Sequence, residues 1–350
     1  MPQNLIVLDA SQDALWDELV LSSPQGSEFM LSAWLPMLAS TLNSPLQVER
    51  IGYLGKDRKL IAGWAIPYQE LRLWKLRISN GGYGLRYSGP LLNQALSEDP
   101  RKTMVRNQVL SQFAAYAGAR YDSIVVECHP AFTDPREFIY AGWSIAPVYQ
   151  YRWNLSDPDA LLASLDNEKR REIRRGLESF QFSRERIDKQ SFEQFLTIYR
   201  STMQHRHDIG LGEDWVKNLE RRLLWMQDID ACGLFVAKND ASEYAAVLLA
   251  IISRADHTVY FWMAGYDQNL KGNKVLSSLY WFTGQEILGS TPGIKFADFS
   301  VAPSRSLSQY KDLLRADITL SFRMIHDKRS WKQNLRNGLR QARNLAGSLR

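Results

Sequence analysis

The chain has 350 residues, 45% hydrophobic and 23% charged, with two cysteines and a formal net charge of +5. This length suits two domains, and the balance is that of a globular protein, which excludes a disordered or low-complexity chain. The longest apolar run, Tyr244–Ile252, is too short to cross a bilayer, and the first residues lack the basic-then-apolar pattern of a secretory signal. Cys128 and Cys232 form neither a disulfide framework nor a zinc ribbon. A reducing, cytoplasmic setting is therefore expected.

In chain order, helical spacing runs over Ser11–Val20 and Phe29–Ser40. Gln47–Leu54 and Leu60–Tyr68 are paired strands about a Gly55-Lys56-Asp57 turn, and Leu71–Ser79 alternates as another strand. The glycine-rich loop 80–84 leads to Tyr87-Ser88-Gly89-Pro90. A helix from about Asp99 to Gly118 precedes the strand Ser123–Cys128, and Tyr149–Leu155 closes the first half as a strand. The second half repeats the plan. A helix over Phe192–His207 is followed by strands at Gly233–Ala237, Tyr244–Ser253 and His257–Ala264, then helix Lys274–Leu288 and strand Ile294–Phe299. The alternation predicts an α/β protein with mixed sheets flanked by helices, one unit used twice, with a boundary near Gln150. The expected domains are 1–150, 151–326 and a basic tail helix, 327–350.

That tail carries most of the charge. It holds seven basic residues against Asp327 alone, a net +6 of the chain's +5, which leaves the body near neutral at −1. Trp331, Leu335, Leu339, Ala342, Ala346 and Leu349 form one apolar stripe flanked by Lys332, Arg336, Arg340 and Arg343. Such a helix suits an anionic membrane surface, a polyanion, or docking on the body with a basic outer face.

The richest stretch is Val259–Ile318. An aromatic strand with Tyr260 and Tyr266 enters the basic turn Lys271-Gly272-Asn273-Lys274, which opens a long helix. Free N–H groups and the helix dipole attract anions there, and the two lysines add charge. A short strand ending in Asp298 follows, then a proline-containing loop carrying Lys311. A lysine on a loop can meet a phosphate or a reacting carbonyl, although an Asp cap and a surface lysine would read the same way. Earlier, Asp157 and Pro158 start a helix region in which Arg170/Arg174 and Arg171/Arg175 pair at i,i+4, and Lys169 lies beside the Leu162–Leu165–Ile173 stripe. This face is either solvated, with Glu168 and Glu172 as partners, or phosphate-binding. His205 and His207 diverge on a helix, so no metal is expected. Serine elbows, Walker loops and zinc-finger spacings are absent from the sequence.

Taken together, five segments make the chain resemble the Fem-type branch of the GNAT N-acyltransferase superfamily, which includes peptidoglycan aminoacyltransferases and polysaccharide-locus acyltransferases. They are Phe29…Trp34-Leu35, Tyr87-Ser88-Gly89-Pro90, Lys169-Arg170…Ile173-Arg174-Arg175, Tyr260-Phe261…Ala264-Gly265-Tyr266-Asp267, and Phe296-Ala297-Asp298-Phe299…Ser306-Leu307…Tyr310-Lys311. The resemblance implies two tandem GNAT-like domains with a cleft between them. It also implies transfer of an acyl or aminoacyl group to an amine of a cell-envelope precursor in a bacterial cytoplasm, at the inner membrane face where the tail reaches it. It implies no tightly bound cofactor. The acyl donor is a cosubstrate, aminoacyl-tRNA or acyl-CoA, and the acceptor a phosphorylated or lipid-linked sugar or peptide. On it, Lys311 stabilises charge, Asp298 orients it or accepts a proton, and Lys169, Arg170, Arg174 and Lys274 hold phosphates or the donor. Tyr87 and Tyr266 line the cleft, with Tyr260 beside them.

Two departures stand out. Acetyl-CoA enzymes of this superfamily place Arg/Gln-x-x-Gly-x-Gly/Ala at the pyrophosphate turn, whereas this chain has Asn269-Leu270-Lys271-Gly272-Asn273-Lys274, with a lysine where the last small residue belongs. The run Phe180–Gln204 is also too short for the coiled-coil arm of some Fem proteins. A second reading is a catalytically inactive scaffold of this fold, tethered by its basic tail to membrane or nucleic acid. A third has the tail holding the tRNA of an aminoacyl donor.

Overall fold

The computed structural model describes residues 4–40, 46–71, 76–80, 86–207, 212–269 and 274–328. The first half runs β1 (Leu5–Leu8), α1 (Asp13–Ser22), α2 (Trp34–Ser40), β2 (Gln47–Leu54), β3 (Leu60–Leu71), β4 (Leu76–Asn80), β5 (Leu91–Leu92), α3 (Gln94–Glu98), α4 (Thr103–Arg120), β6 (Ser123–Glu127) and α5 (Arg136–Tyr140). The second runs β7 (Ser144–Asn154), α6 (Pro158–Ser164), α7 (Asn167–Ser179), β8 (Gln181–Glu185), α8 (Lys189–His207), α9 (Glu213–Asp228), β9 (Cys232–Lys238), β10 (Tyr244–Ser253), β11 (Thr258–Tyr266), α10 (Lys274–Ser290), β12 (Phe296–Val301), α11 (Arg305–Leu313) and β13 (Asp317–Asp327). This is the mixed α/β architecture expected. The described residues fall into two compact units, one from those within 4–147 and 321–328, the other from those within 148–320.

In the N-terminal unit the strand order is β1-β2-β3-β4-β6-β13, with β5 beside β3. All neighbours are antiparallel except β4 and β6. Its core gathers around Trp64, fully buried, whose indole N–H donates to Ser88 O at 2.6 Å and whose ring meets Phe113, Phe138 and Trp143. β13 completes this sheet from the far end of the chain, pairing Arg323–Asp327 with Ser123–Glu127.

The C-terminal unit has the order β7-β12-β11-β10-β9-β8, and only β11 and β12 are parallel. β10 is buried at every residue from Ala245 to Ser253. Both α8 and α10 pack on β10 and β11, which explains an unbroken apolar run rather than alternation. α8 crosses β11 closely. A Cβ on Gly265 would lie 3.0 Å from Thr202 Oγ1 and 3.2 Å from Ile198 O, so only glycine fits without a shift.

Several expectations need correction. The helix expected over Phe29–Ser40 is split into a short turn at Glu28–Met30 and α2, because Asp17 takes both the N–H and the hydroxyl of Ser32 at 2.7 Å. The tail does not start at Asp327: that residue ends β13, and the next N–H, Lys328, donates to Asp122 O. β1, β8, α9 and β13 were not anticipated. The expected tail helix beyond Lys328, most of the glycine-rich loop 80–84, and the turn Lys271-Gly272-Asn273 lie outside the described residues. Among the described residues, no helix is long and apolar enough to cross a membrane.

Candidate active site

β11, α10 and β12 form a strand–helix–strand crossover, so the N-terminus of α10 lies at the carboxyl end of β11. The two parallel strands pair only from Thr258↔Phe296 to Tyr260↔Asp298, while β11 continues to Tyr266. They part at their carboxyl ends, where α/β sheets place ligands. The start of the split is closed by aromatic rings: Phe261 and Phe299 meet edge-on at 5.0 Å, and Tyr280 of α10 stacks on Phe261 at 5.2 Å.

β12 bends where it leaves β11. Its register with β7 shifts between Asp298 and Val301, and Ser300 takes a positive φ of 65°. Two side chains hold this bulge. Asp298, 1% exposed, accepts the Ser300 N–H at 2.6 Å and faces Arg152 Nε at 3.5 Å. Lys311 Nζ, from the opposite side of the sequence, donates to Phe299 O, Ser300 O and Val301 O at 2.6, 3.1 and 2.8 Å. An ammonium has only three N–H groups, so the described contacts use all of them. The sequence reading placed Lys311 on a loop and Asp298 at a strand end. Instead Lys311 lies on α11, capped by Ser304, at 5% exposure, and β12 runs on past Asp298 to Val301. The structure thus brings Asp298 and Lys311 onto one strained turn, but as its braces rather than as open groups.

Around this brace lies a polar cluster from α7, α10 and α11. Lys169, 8% exposed, binds Glu172 Oε2 at 2.9 Å and places its ammonium 5.6 Å from the Tyr310 ring centre. Tyr310 OH and Ser277 Oγ share a hydrogen bond of 3.1 Å in the opening turns of α10. Ser278 Oγ donates to Ile173 O at 3.1 Å and ties α10 to α7. Tyr151 OH and Ser308 Oγ pair at 2.6 Å, and Lys311 Nζ stands 5.3 Å from the Tyr151 ring centre. Glu172 is the group with spare capacity: Oε1 is buried and has no hydrogen-bond partner among the described residues. Sequence reading treated Glu172 only as a charge partner. Its signal was the spacing Lys169–Glu172, one turn apart on the helix face that also carries the buried Ile173.

The remaining expected site residues scatter. Arg170 braces the α6–α7 junction, donating to Ala163 O and Asn167 Oδ1. Arg174 is exposed. Tyr260 is buried and its hydroxyl donates to Asp256 Oδ2. Tyr266 is half-buried, with its N–H donating to Thr202 Oγ1. Tyr87 belongs to the N-terminal unit and is 0% exposed, its ring edge-on to His129 at 4.8 Å. It sits in the core of that unit. Lys274 begins α10. Neither thiol is poised as a nucleophile: burial pushes Cys128 well above the ordinary range and Cys232 up to about 12.

With this geometry in view, the comparisons take a definite place. A family model described as acetyltransferase (GNAT) domain matches residues 163–311, a span that contains Lys169, Glu172, Ser277, Asp298, Tyr310 and Lys311. Residues 163–311 thus carry a GNAT acetyltransferase domain, and the chain shares its fold with FemX. A crystal structure of FemX superposes with a TM-score of 0.69 at 12% identity, over 94% of this chain and 99% of that one. A tandem GNAT protein from the clavulanic acid biosynthesis pathway gives 0.54 at 10% identity, over 92% and 97%. The C-terminal domain of a putative lysylphosphatidylglycerol synthetase from Agrobacterium fabrum gives 0.52 at 12%, over 94% and 96%. At these identities the likeness establishes the fold, tandem GNAT included. No curated protein matches the sequence.

Proposed function

We propose that this protein is an N-acyltransferase that passes an acyl or aminoacyl group to the amine of a nucleotide- or lipid-linked cell-envelope precursor. The observation that carries the reading is the coincidence of the matched GNAT domain with the Lys169–Glu172–Tyr310–Ser277 cluster at the start of α10. The lysylphosphatidylglycerol synthetase domain, whose name denotes aminoacyl transfer, supports an aminoacyl donor, for which we propose aminoacyl-tRNA. So does the lysine that replaces the small last residue of the usual acetyl-CoA turn.

Attack of a neutral amine on an acyl ester or thioester needs orientation, a proton acceptor and a stabiliser for the oxyanion. In our reading Glu172 Oε1 accepts the proton of the attacking amine, and Lys169 holds Glu172 in place. Tyr310, whose hydroxyl is half-buried beside Ser277, donates a hydrogen bond to the developing oxyanion; collapse of the tetrahedral adduct breaks the acyl–oxygen or acyl–sulfur bond, and the departing alkoxide or thiolate takes the proton held on Glu172. Lys311 acts through its charge and by fixing the β12 bulge, and the opening of α10 with Lys274 holds the donor's phosphates. Asp298 keeps the bulge and Arg152 in register. Native mass spectrometry with acetyl-CoA, a long-chain acyl-CoA and aminoacyl-tRNA tests the donor. Retention of aminoacyl-tRNA alone is expected; retention of acetyl-CoA alone contradicts the donor assignment.

A further inference from the structure

We propose that the N-terminal unit carries a binding groove for a single-chain amphiphile with an anionic head, a site that does not depend on the acyl-transfer reading. The groove encloses about 810 Å³ between α1, the β2–β3 turn and the α3–α4 segment. That volume is within the roughly 300–1,000 Å³ of small-molecule sites. Its floor is buried and apolar, formed by Leu19, Leu60 and Leu96. Its walls, Leu15, Leu54 and Ile61, are half-buried, so they hold apolar surface toward solvent that a hydrocarbon chain would cover.

The rim is charged on a different principle. Lys56 and Lys59 come from the β2–β3 turn, and Lys102 directly precedes α4; all three border the groove and are exposed. Lys102 also lies near enough to Asp99 to lower that carboxyl's pKa by its charge. The α4 N-terminus adds positive potential beside Lys102. Two carboxylates, Glu18 and Asp57, also border the groove, Asp57 Oδ1 accepting the Lys59 backbone N–H at 3.2 Å, so the lysines exceed them by one. An apolar trough with an excess of lysines at its mouth complements a ligand with an apolar body and an anionic end. It suits neither a neutral sugar nor a free inorganic anion.

The test is isothermal titration of the full-length protein with dodecyl phosphate below its micelle concentration, against inorganic phosphate and the neutral dodecyl maltoside. Wild type is expected to bind dodecyl phosphate saturably, one per chain, and more tightly than either control. The triple variant Lys56→Glu/Lys59→Glu/Lys102→Glu should weaken dodecyl phosphate about tenfold or more, corresponding to roughly 1.4 kcal/mol, without weakening the maltoside. Val105→Asp, on the apolar wall, should weaken both amphiphiles. These positions are exposed, and an unchanged thermal midpoint checks the fold. Absence of saturable uptake by wild type, equal binding of inorganic phosphate, or a triple variant that binds dodecyl phosphate like wild type overturns the proposal.

Discussion

Lys311 shows how far a side chain's surroundings can differ from those its sequence position suggests: it lies on α11, not on a loop. Its position beside Asp298 was legible, because Asp-Phe followed at a short distance by Tyr-Lys is a recognisable pattern. Its environment was not, because the partners are backbone carbonyls of residues 299–301, and no residue-type pattern encodes those. Glu172 was missed for a related reason. Whether a carboxylate oxygen is solvated or buried and unpaired depends on packing across α7, α10 and α11. The two residues separate cleanly by experiment. Lys311→Met removes the donors from three carbonyls and should destabilise the fold by about 2–3 kcal/mol, read as a lower denaturant midpoint. Glu172→Gln leaves the buried Lys169 ammonium without its carboxylate and should itself lower that midpoint, whereas Lys169→Met/Glu172→Gln removes the buried charge and should restore the midpoint but not activity.

At the scale of elements, apolar runs were read well and backbone detail was not. Tyr244–Ser253 matches β10 at both ends, because an unbroken run of small and branched apolar residues has few other places to go. The β12 bulge and the splitting of β11 from β12 left no trace in periodicity, since both arise from pairing across distant segments. β13 did alternate, from Ile318 through Leu320, Phe322 and Met324, but the basic residues after it drew the boundary to the wrong place. One side chain of β13 gives this element a pH dependence. His326 stacks on Trp143 at 5.1 Å, and burial holds it below its ordinary 6.5, with Lys328 lowering it further and Gly118 and Asp327 opposing. The unfolded chain therefore binds the proton first. The native state keeps its full stability above about pH 6.5 and loses some as pH falls toward the folded value. His326→Phe retains the ring stack and should flatten the unfolding midpoint between pH 7 and 5, as calorimetry across that range will show.

For the whole molecule, the twofold plan was visible in the repeated order of helix and strands, and the tandem GNAT fold matches it. The return of the chain was not visible: residues 321–327 leave the C-terminal unit and complete the N-terminal sheet beside β6. Truncation after Lys328 should therefore leave cooperative unfolding intact. Truncation after Leu320 strips β6 of one of its two neighbours and should lower the midpoint of the N-terminal unit, followed by the fluorescence of its buried tryptophans.

The central claim is acyl transfer through the Lys169–Glu172–Tyr310 cluster. It is tested most directly by following transfer from isotopically labelled aminoacyl-tRNA and acyl-CoA donors to nucleotide-linked amino sugars and muropeptides, in wild type and in Glu172→Gln. The account predicts turnover of one donor class by wild type and a loss of about 100-fold or more in Glu172→Gln, in the range of a missing general base. No turnover of any donor by wild type, or equal turnover by a folded Glu172→Gln, would contradict it.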